Sequence, residues 1–227
     1  MPARRSTPTS PSPTTATSWP CPAAEVFALS SPLVLASGSP RRRKLLSGAG
    51  LRFAVRPANI DETPLPDESP MAYVRRLSIE KAAAAMESPL ASSADIVLAA
   101  DTTVEVNGEI LEKPLDVDDA YRMLRMLSGR DHLVHTGVTV SVPLTGARRS
   151  SSILVTTRVT FADLDDGAID WYLETGEAAN EWQDKAGGYG IQGAAAGFVE
   201  RVDGSVTNVI GLPLAETLVL LRNVASA

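Results

Sequence analysis

Several things are scarce in this sequence, and each shortage removes a class of protein. One cysteine, Cys21, stands among 227 residues. The chain therefore offers no internal disulfide and no thiolate metal site, and the body beyond residue 30 has no cysteine nucleophile. That fits a reducing compartment. There are 2 histidines, His132 and His135, on one expected strand. A zinc site would want more ligands, so both are expected to be structural. No apolar run approaches the roughly 20 residues of a membrane span; the most apolar stretch, "DIVLAAD", is short and closed by charge. Positive charge is in deficit, with 21 Lys and Arg against 27 Asp and Glu and a formal net charge of -6. A general nucleic-acid coat would need a basic face. We therefore expect neither a nucleic-acid nor a membrane partner. A local basic pocket for a phosphorylated small molecule stays open.

What is present describes a globular chain: 44% hydrophobic and 21% charged residues, long enough for one sizeable core or two small lobes. Residues 1–24 differ in composition. Pro, Ser and Thr dominate them, and the first acidic residue is Glu25. Such a segment cannot bury enough apolar surface to order itself, so residues 1–30 are expected to be a disordered tail or an over-extended start. An organelle transit peptide is the rival reading, but repeated basic residues and an amphipathic helix are missing. Residues 31–227 are expected to form one folding unit.

From Ser31 strand and helix patterns alternate. "LVLAS" reads as a buried strand. Pro40 opens and Gly48 and Gly50 close a helix over Arg41–Gly50, and "LRFAVRPA" is a second strand. In "ESPMAYVRRLSIEKAAAAM", Ser69 caps a helix, Pro70 takes the first turn and the alanines favour it. Asp95–Ala100 is a buried strand with Asp101 at its C-terminal end. A hairpin follows, turning at Asn107-Gly108. "DVDDAYRMLRMLSG" is a helix capped by Asp116. Two long strands, Leu133–Val142 and Ser152–Phe161, precede a helix near Asp165–Thr175. A glycine-rich loop, a strand "GFVERVDG" and a helix beginning near Pro213 complete the chain. The pattern predicts an α/β fold with a mixed sheet.

Chemistry gathers in four places. In "LVLASGSPRRRK" a strand enters a helix through Ser-Gly-Ser-Pro, which aims backbone N–H groups and a positive helix end at one point. Arg41, Arg42 and Arg43 add bidentate donors suited to phosphate; three solvated surface arginines are the plainer reading. Asp101, at a strand end where α/β sheets gather ligands, can hold Mg²⁺ or take a proton from water. Glu62 in "IDET" would complete a hard-cation site; a turn or cap aspartate is the plainer reading of Asp101. Lys81 and Lys113 are each either surface lysines or phosphate-facing cations. "DKAGGYGIQG" lets backbone approach a ligand at Gly187, Gly188, Gly190 and Gly193, with Lys185 offering charge and Gln192 an amide; a flexible loop is the alternative.

Taken together, "LASGSPRRRKLL", "IDET", "ADTTVEVNGEILEKP", "LSGRDHLVHTGV", "DKAGGYGIQG" and "NVIGLPLAET" resemble, in this order, the Maf family of nucleoside triphosphate pyrophosphatases over about residues 31–222. The resemblance implies a curved mixed β-sheet flanked by helices, in two lobes with a central cleft as in inosine triphosphatase. It also implies a cytoplasmic homodimer that hydrolyses a nucleoside triphosphate to monophosphate and pyrophosphate with a divalent cation, Mg²⁺ or Mn²⁺. By the same resemblance Asp101 is the proton acceptor, Glu62 the second acid beside it and Lys81 a catalytic cation. Ser37, Arg41, Arg42, Lys113 and Lys185 then face the substrate. Matching residues at Arg41, Thr102 and Gln192 place the chain near the dTTP/UTP branch. A carboxamide at Gln192 suits the adjacent acceptor and donor of a uracil or thymine edge, and such a site rejects bases that leave its polar groups unpaired. Arg43 and Lys44 are expected to face solvent. The loop "EAANEWQDKAGG" is longer than the family's shortest versions, and the segment before Ser31 has no family counterpart. The family's link with septum formation keeps a non-enzymatic regulator of cell division in view, and a nucleotide sensor without turnover is a third reading.

Overall fold

The computed structural model describes residues 29, 31–88, 90, 92, 95–144, 147–175 and 181–225. The expected tail over residues 1–30, apart from Leu29, lies outside them. So do Cys21 and the start of the long loop, residues 176–180.

A seven-stranded mixed sheet in the order β2-β1-β3-β5-β6-β7, with β4 attached to β3, forms the frame. Strand β1 (Leu33–Leu35) is buried along its length and pairs in parallel with β2 (Phe53–Val55) and β3 (Ile96–Val106). An apolar run buried on both faces is the mark of a parallel strand flanked on each side. From β3 onward the pairing is antiparallel. The hairpin strand β4 (Glu109–Leu111) pairs with the far end of β3, and β5 (Asp131–Leu144), β6 (Ala147–Phe161) and β7 (Val199–Asp203) follow in turn. Asn107 and Gly108, at φ 53° and 82°, turn the β3–β4 hairpin, as a two-residue loop of this twist requires.

Helices cover the sheet. Helix α1 (Pro40–Gly48) is capped by Ser39, whose Oγ accepts from the Arg42 N–H. Helix α2 (Pro70–Glu87) is capped by Ser69 and buries Tyr73, Val74, Leu77, Ser78, Lys81, Ala82 and Ala85, a stripe at helical spacing. It lies close on the sheet because position 137 has no side chain: a Cβ on Gly137 would sit 2.3 Å from the Val74 carbonyl oxygen. Helix α3 (Val117–Leu127), capped by Asp116, and α4 (Asp166–Glu174), capped by Asp165, pack together. The glycine-rich segment forms short 3₁₀ turns at Ala186–Gly188 and Ala194–Phe198. Helices α5 (Val206–Ile210) and α6 (Leu214–Ala225) end the described chain. No helix of the described residues is long and apolar enough to cross a membrane.

The α/β reading holds, with three differences. The strand expected to stop at Ala100 runs without a break through Asp101 to Val106. The two long strands extend to fourteen and fifteen residues. The short helix α5 was not foreseen. The first of these makes the cleft. β1 accompanies β3 only over Ile96–Leu98 and β4 joins it only at Val104. Between them Ala99–Thr103 has a strand neighbour, β5, on one side alone. The core divides at the same place. One apolar cluster surrounds Leu35, Leu46, Leu98 and Leu212, and another gathers Val104, Leu124, Phe161 and Tyr172.

Candidate active site

The gap beside β3 opens into a cleft of about 1030 Å³. Ser37, Arg41, Arg42, Glu62, Lys81, Asp101, Thr102, Lys113, Lys185 and Gln192 all line it. Arg43 and Lys44 are exposed on α1 and do not.

Successive residues of a strand point to opposite faces, and the cleft uses both faces of β3. Asp101 points toward α2. Lys81 Nζ donates to Asp101 Oδ1 at 2.6 Å and lies 2.9 Å from Glu62 Oε1. Lys81 and Asp101 are only 8% and 6% exposed, so each charge needs the other: a buried ion without its partner is costly. No described residue donates to the second oxygen of Asp101. Beside this group, Tyr73 Oη lies 2.7 Å from Glu112 Oε1 and 2.9 Å from the Glu62 carbonyl. Burial and then the Glu112 carboxylate push the Tyr73 phenol far above its ordinary value, so it stays a proton donor.

Thr102 points the other way, toward the α5–α6 connection. Arg42 is spent there on neutral acceptors: Nε donates to the Gly211 carbonyl at 2.8 Å, Nη1 to Ser37 Oγ at 3.1 Å and Nη2 to Thr102 Oγ1 at 3.0 Å. Thr102 Oγ1 also meets Thr136 Oγ1 at 2.9 Å. Burial lowers the Arg42 pKa, against the opposing pull of Asp101. Arg42 therefore ties three chain segments together at the cleft wall, whereas Arg41 reaches across the cleft to Asp184. Lys113 and Gln192 are exposed at the cleft and make no side-chain hydrogen bond with described residues. The Gly187 N–H donates to the Glu112 carbonyl, and at φ 71° a Cβ there would press on Val104. The glycine loop thus needs Gly187 to seat against β3.

The donor set fits a hard divalent cation. Glu62 Oε1 and Asp101 Oδ1 both reach Lys81 Nζ, at 2.9 and 2.6 Å, which brings two carboxylates together, and Mg²⁺ is usually held by one or two carboxylates plus substrate phosphate oxygens. Among the described residues no group of three His, Cys, Asp or Glu forms a protein-only site. The histidines serve the framework. His132 Nε2 meets Tyr189 Oη at 2.8 Å, and His135 lies between Glu105 and Thr156 at 2.7 and 2.8 Å.

The residues that sequence reasoning passed over are Tyr73, Glu112, Asp184 and Gly211. Glu112 and Asp184 sit beside Lys113 and Lys185 in stretches already singled out. Tyr73 lies on the same stripe of α2 as Lys81, and a lysine on an apolar stripe was itself a signal.

Fold and site together define an α/β protein whose cleft gathers cationic side chains beside a lysine-bridged carboxylate pair. The chain belongs to the Maf family: the family model described as "Maf-like protein" matches residues 32–224. Among curated relatives, the dTTP/UTP pyrophosphatase of Anaeromyxobacter dehalogenans is 53% identical over 190 residues, covering 84% of this chain and 92% of its own. That of Hahella chejuensis is 49% identical over 190 residues, covering 84% and 90%. That of Rhizobium meliloti is 46% identical over 199 residues, covering 86% and 93%.

Proposed function

We propose that this chain hydrolyses nucleoside triphosphates, dTTP and UTP foremost, to the monophosphate and pyrophosphate. The observation that carries the reading is the convergence of Asp101, Glu62 and Lys81 in one cleft with five further cation- and amide-bearing side chains. Phosphoryl transfer asks a protein mainly for positioning and charge. Lys81 fixes Asp101 through Oδ1, which leaves the other oxygen to take a proton from the attacking water. Arg41, Lys113 and Lys185 neutralise the triphosphate. Arg42 holds Ser37 and Thr102 in place at the wall. Gln192, with both edges of its amide uncommitted, reads the pyrimidine's adjacent donor and acceptor. A divalent cation held by Glu62 and Asp101 supplies further neutralisation of phosphate charge when bound. A homodimer in the cytoplasm, with residues 31–227 as its folding unit, completes the proposal.

A pyrophosphate-release screen over the common NTPs and dNTPs with Mg²⁺ or Mn²⁺ tests it. Release from dTTP and UTP is expected, with a loss of about a thousandfold or more in Asp101→Asn. No turnover of any nucleotide would overturn the enzyme reading in favour of a binding or regulatory protein. A preference for GTP would overturn the role given to Gln192 alone.

A further inference from the structure

The cations of the cleft differ in what holds them. Lys81 is matched by the acids of the site and Arg42 by neutral acceptors. Arg41 is matched by Asp184, a residue 143 positions away on the glycine loop: Nη1 donates to Oδ2 at 2.7 Å and Nη2 to the main-chain carbonyl at 3.1 Å. The other carboxylate oxygen, Oδ1, accepts from Lys185 Nζ at 2.7 Å. Lys185 also donates to the Glu181 carbonyl. One carboxylate therefore engages two cleft cations at once. It is the outward member of the cluster: its side chain is 53% exposed, against 25% for Arg41 and 14% for Lys185. Burial acts to raise its pKa, but Lys185 and Arg41 outweigh that and hold it below the usual carboxylate range. A guanidinium and an ammonium converging on two oxygens is also the arrangement that recognises phosphate.

We propose that Asp184 is an internal stand-in for a ligand phosphate: its carboxylate fills an anion subsite built by Arg41 and Lys185, and an incoming phosphate group must displace it. The end of Arg41 that would grip a phosphate through both Nη atoms is the end that Asp184 takes. Arg41 and Lys185 are thus kept paired in the empty cleft, and α1 is strapped to the glycine loop. Binding exchanges one ion pair for another, which trims affinity, and the returning carboxylate helps expel the product. Partly exposed ion pairs are weak enough to exchange in this way. The proposal rests on the triphosphate reading only for the identity of the ligand.

Calorimetric binding of inorganic pyrophosphate to the full chain tests the subsite without turnover. Asp184→Asn should bind pyrophosphate about three- to tenfold more tightly than the wild type, and Asp184→Glu should stay close to it. In an Arg41→Ala background the gain should shrink below about twofold. In the release assay KM for the nucleotide should fall by a similar factor while kcat does not rise. Asp184→Ser gives the same readout should the amide disturb the loop. Unchanged or weaker pyrophosphate binding in Asp184→Asn overturns the proposal. So does a gain that persists in full without Arg41, since that would be a general charge effect. The expected binding pattern without nucleotide turnover would sink the enzyme reading and leave the stand-in intact; turnover with unchanged pyrophosphate binding would do the reverse.

Discussion

On one face of β3 Asp101 meets Lys81, with Glu62 also in contact with the ammonium; on the other, one residue later, Thr102 meets Arg42, Thr136 and the Gly211 carbonyl. The first face holds charge against charge in a buried setting. The second holds one charge against neutral oxygens drawn from β1's exit, from β3 and from the turn before α6. The difference separates two tasks. Opposed charges respond to an incoming ion, so the Asp101 face is fitted to exchange partners. Neutral acceptors around a forked guanidinium fix positions and do not respond to incoming charge, so the Thr102 face is fitted to hold shape.

Substitutions can sharpen or break that contrast. The largest effect is expected from Lys81→Met, which leaves Asp101 buried without its partner. Stability should fall by about 3–5 kcal/mol and kcat by about 100- to 1000-fold. Adding Asp101→Asn should restore part of the stability and none of the activity, as read by urea unfolding and pyrophosphate release. If the double variant is no more stable than Lys81→Met, charge is not what the Asp101 face holds. Arg42→Lys comes next. A lysine cannot reproduce the fork to Ser37, Thr102 and Gly211, so about 2–3 kcal/mol of stability should go. A loss of the same size in the transition state lowers kcat/KM about 30- to 160-fold. No neutralising second substitution should rescue it, because its partners carry no charge; a rescue would erase the distinction between the faces. The smallest effect lies away from both, at His132. Burial pulls its pKa from 6.5 down to about 4, so the folded state favours the neutral ring. Its contribution is full above pH 6.5 and is lost as the pH falls toward 4, because the unfolded chain takes up the proton first. Between pH 7 and pH 5 this one group should cost about 2 kcal/mol of unfolding free energy. Urea unfolding of His132→Phe should show a correspondingly flatter acid limb.

The motifs and the alternation of elements were legible because each is local. Ser69 and Asp116 as caps, Pro at the first turn and Asn107-Gly108 all act over a few residues. The course of β3 was harder to read. Asp101 reads as a turn between a strand and a hairpin because it and Thr102 put polar residues on both faces, and only the gap between β1 and β4 explains why a strand there can be polar on each side. The division of labour between Arg41 and Arg42 was also invisible. Adjacent in sequence and identical in type, they differ in their partners, Asp184 for one and Ser37, Thr102 and Gly211 for the other, most of them far away in the chain. Helix α5 is five residues long, too short for a periodic pattern to register.

That β3 passes unbroken through Asp101 and Thr102 bears on how the cleft is held. Asp101 and the anchor of the Arg42 cluster, Thr102, are joined by a single peptide, whose Cα atoms stay about 3.8 Å apart whatever the packing does. In kinematic terms β3 is the fixed link. α2 with Lys81 packs on one side and the Gly211 turn on the other, so the two sets of residues share a common origin. What differs between the two faces of the cleft is therefore what packs against that link, while the spacing along it is set by covalent geometry.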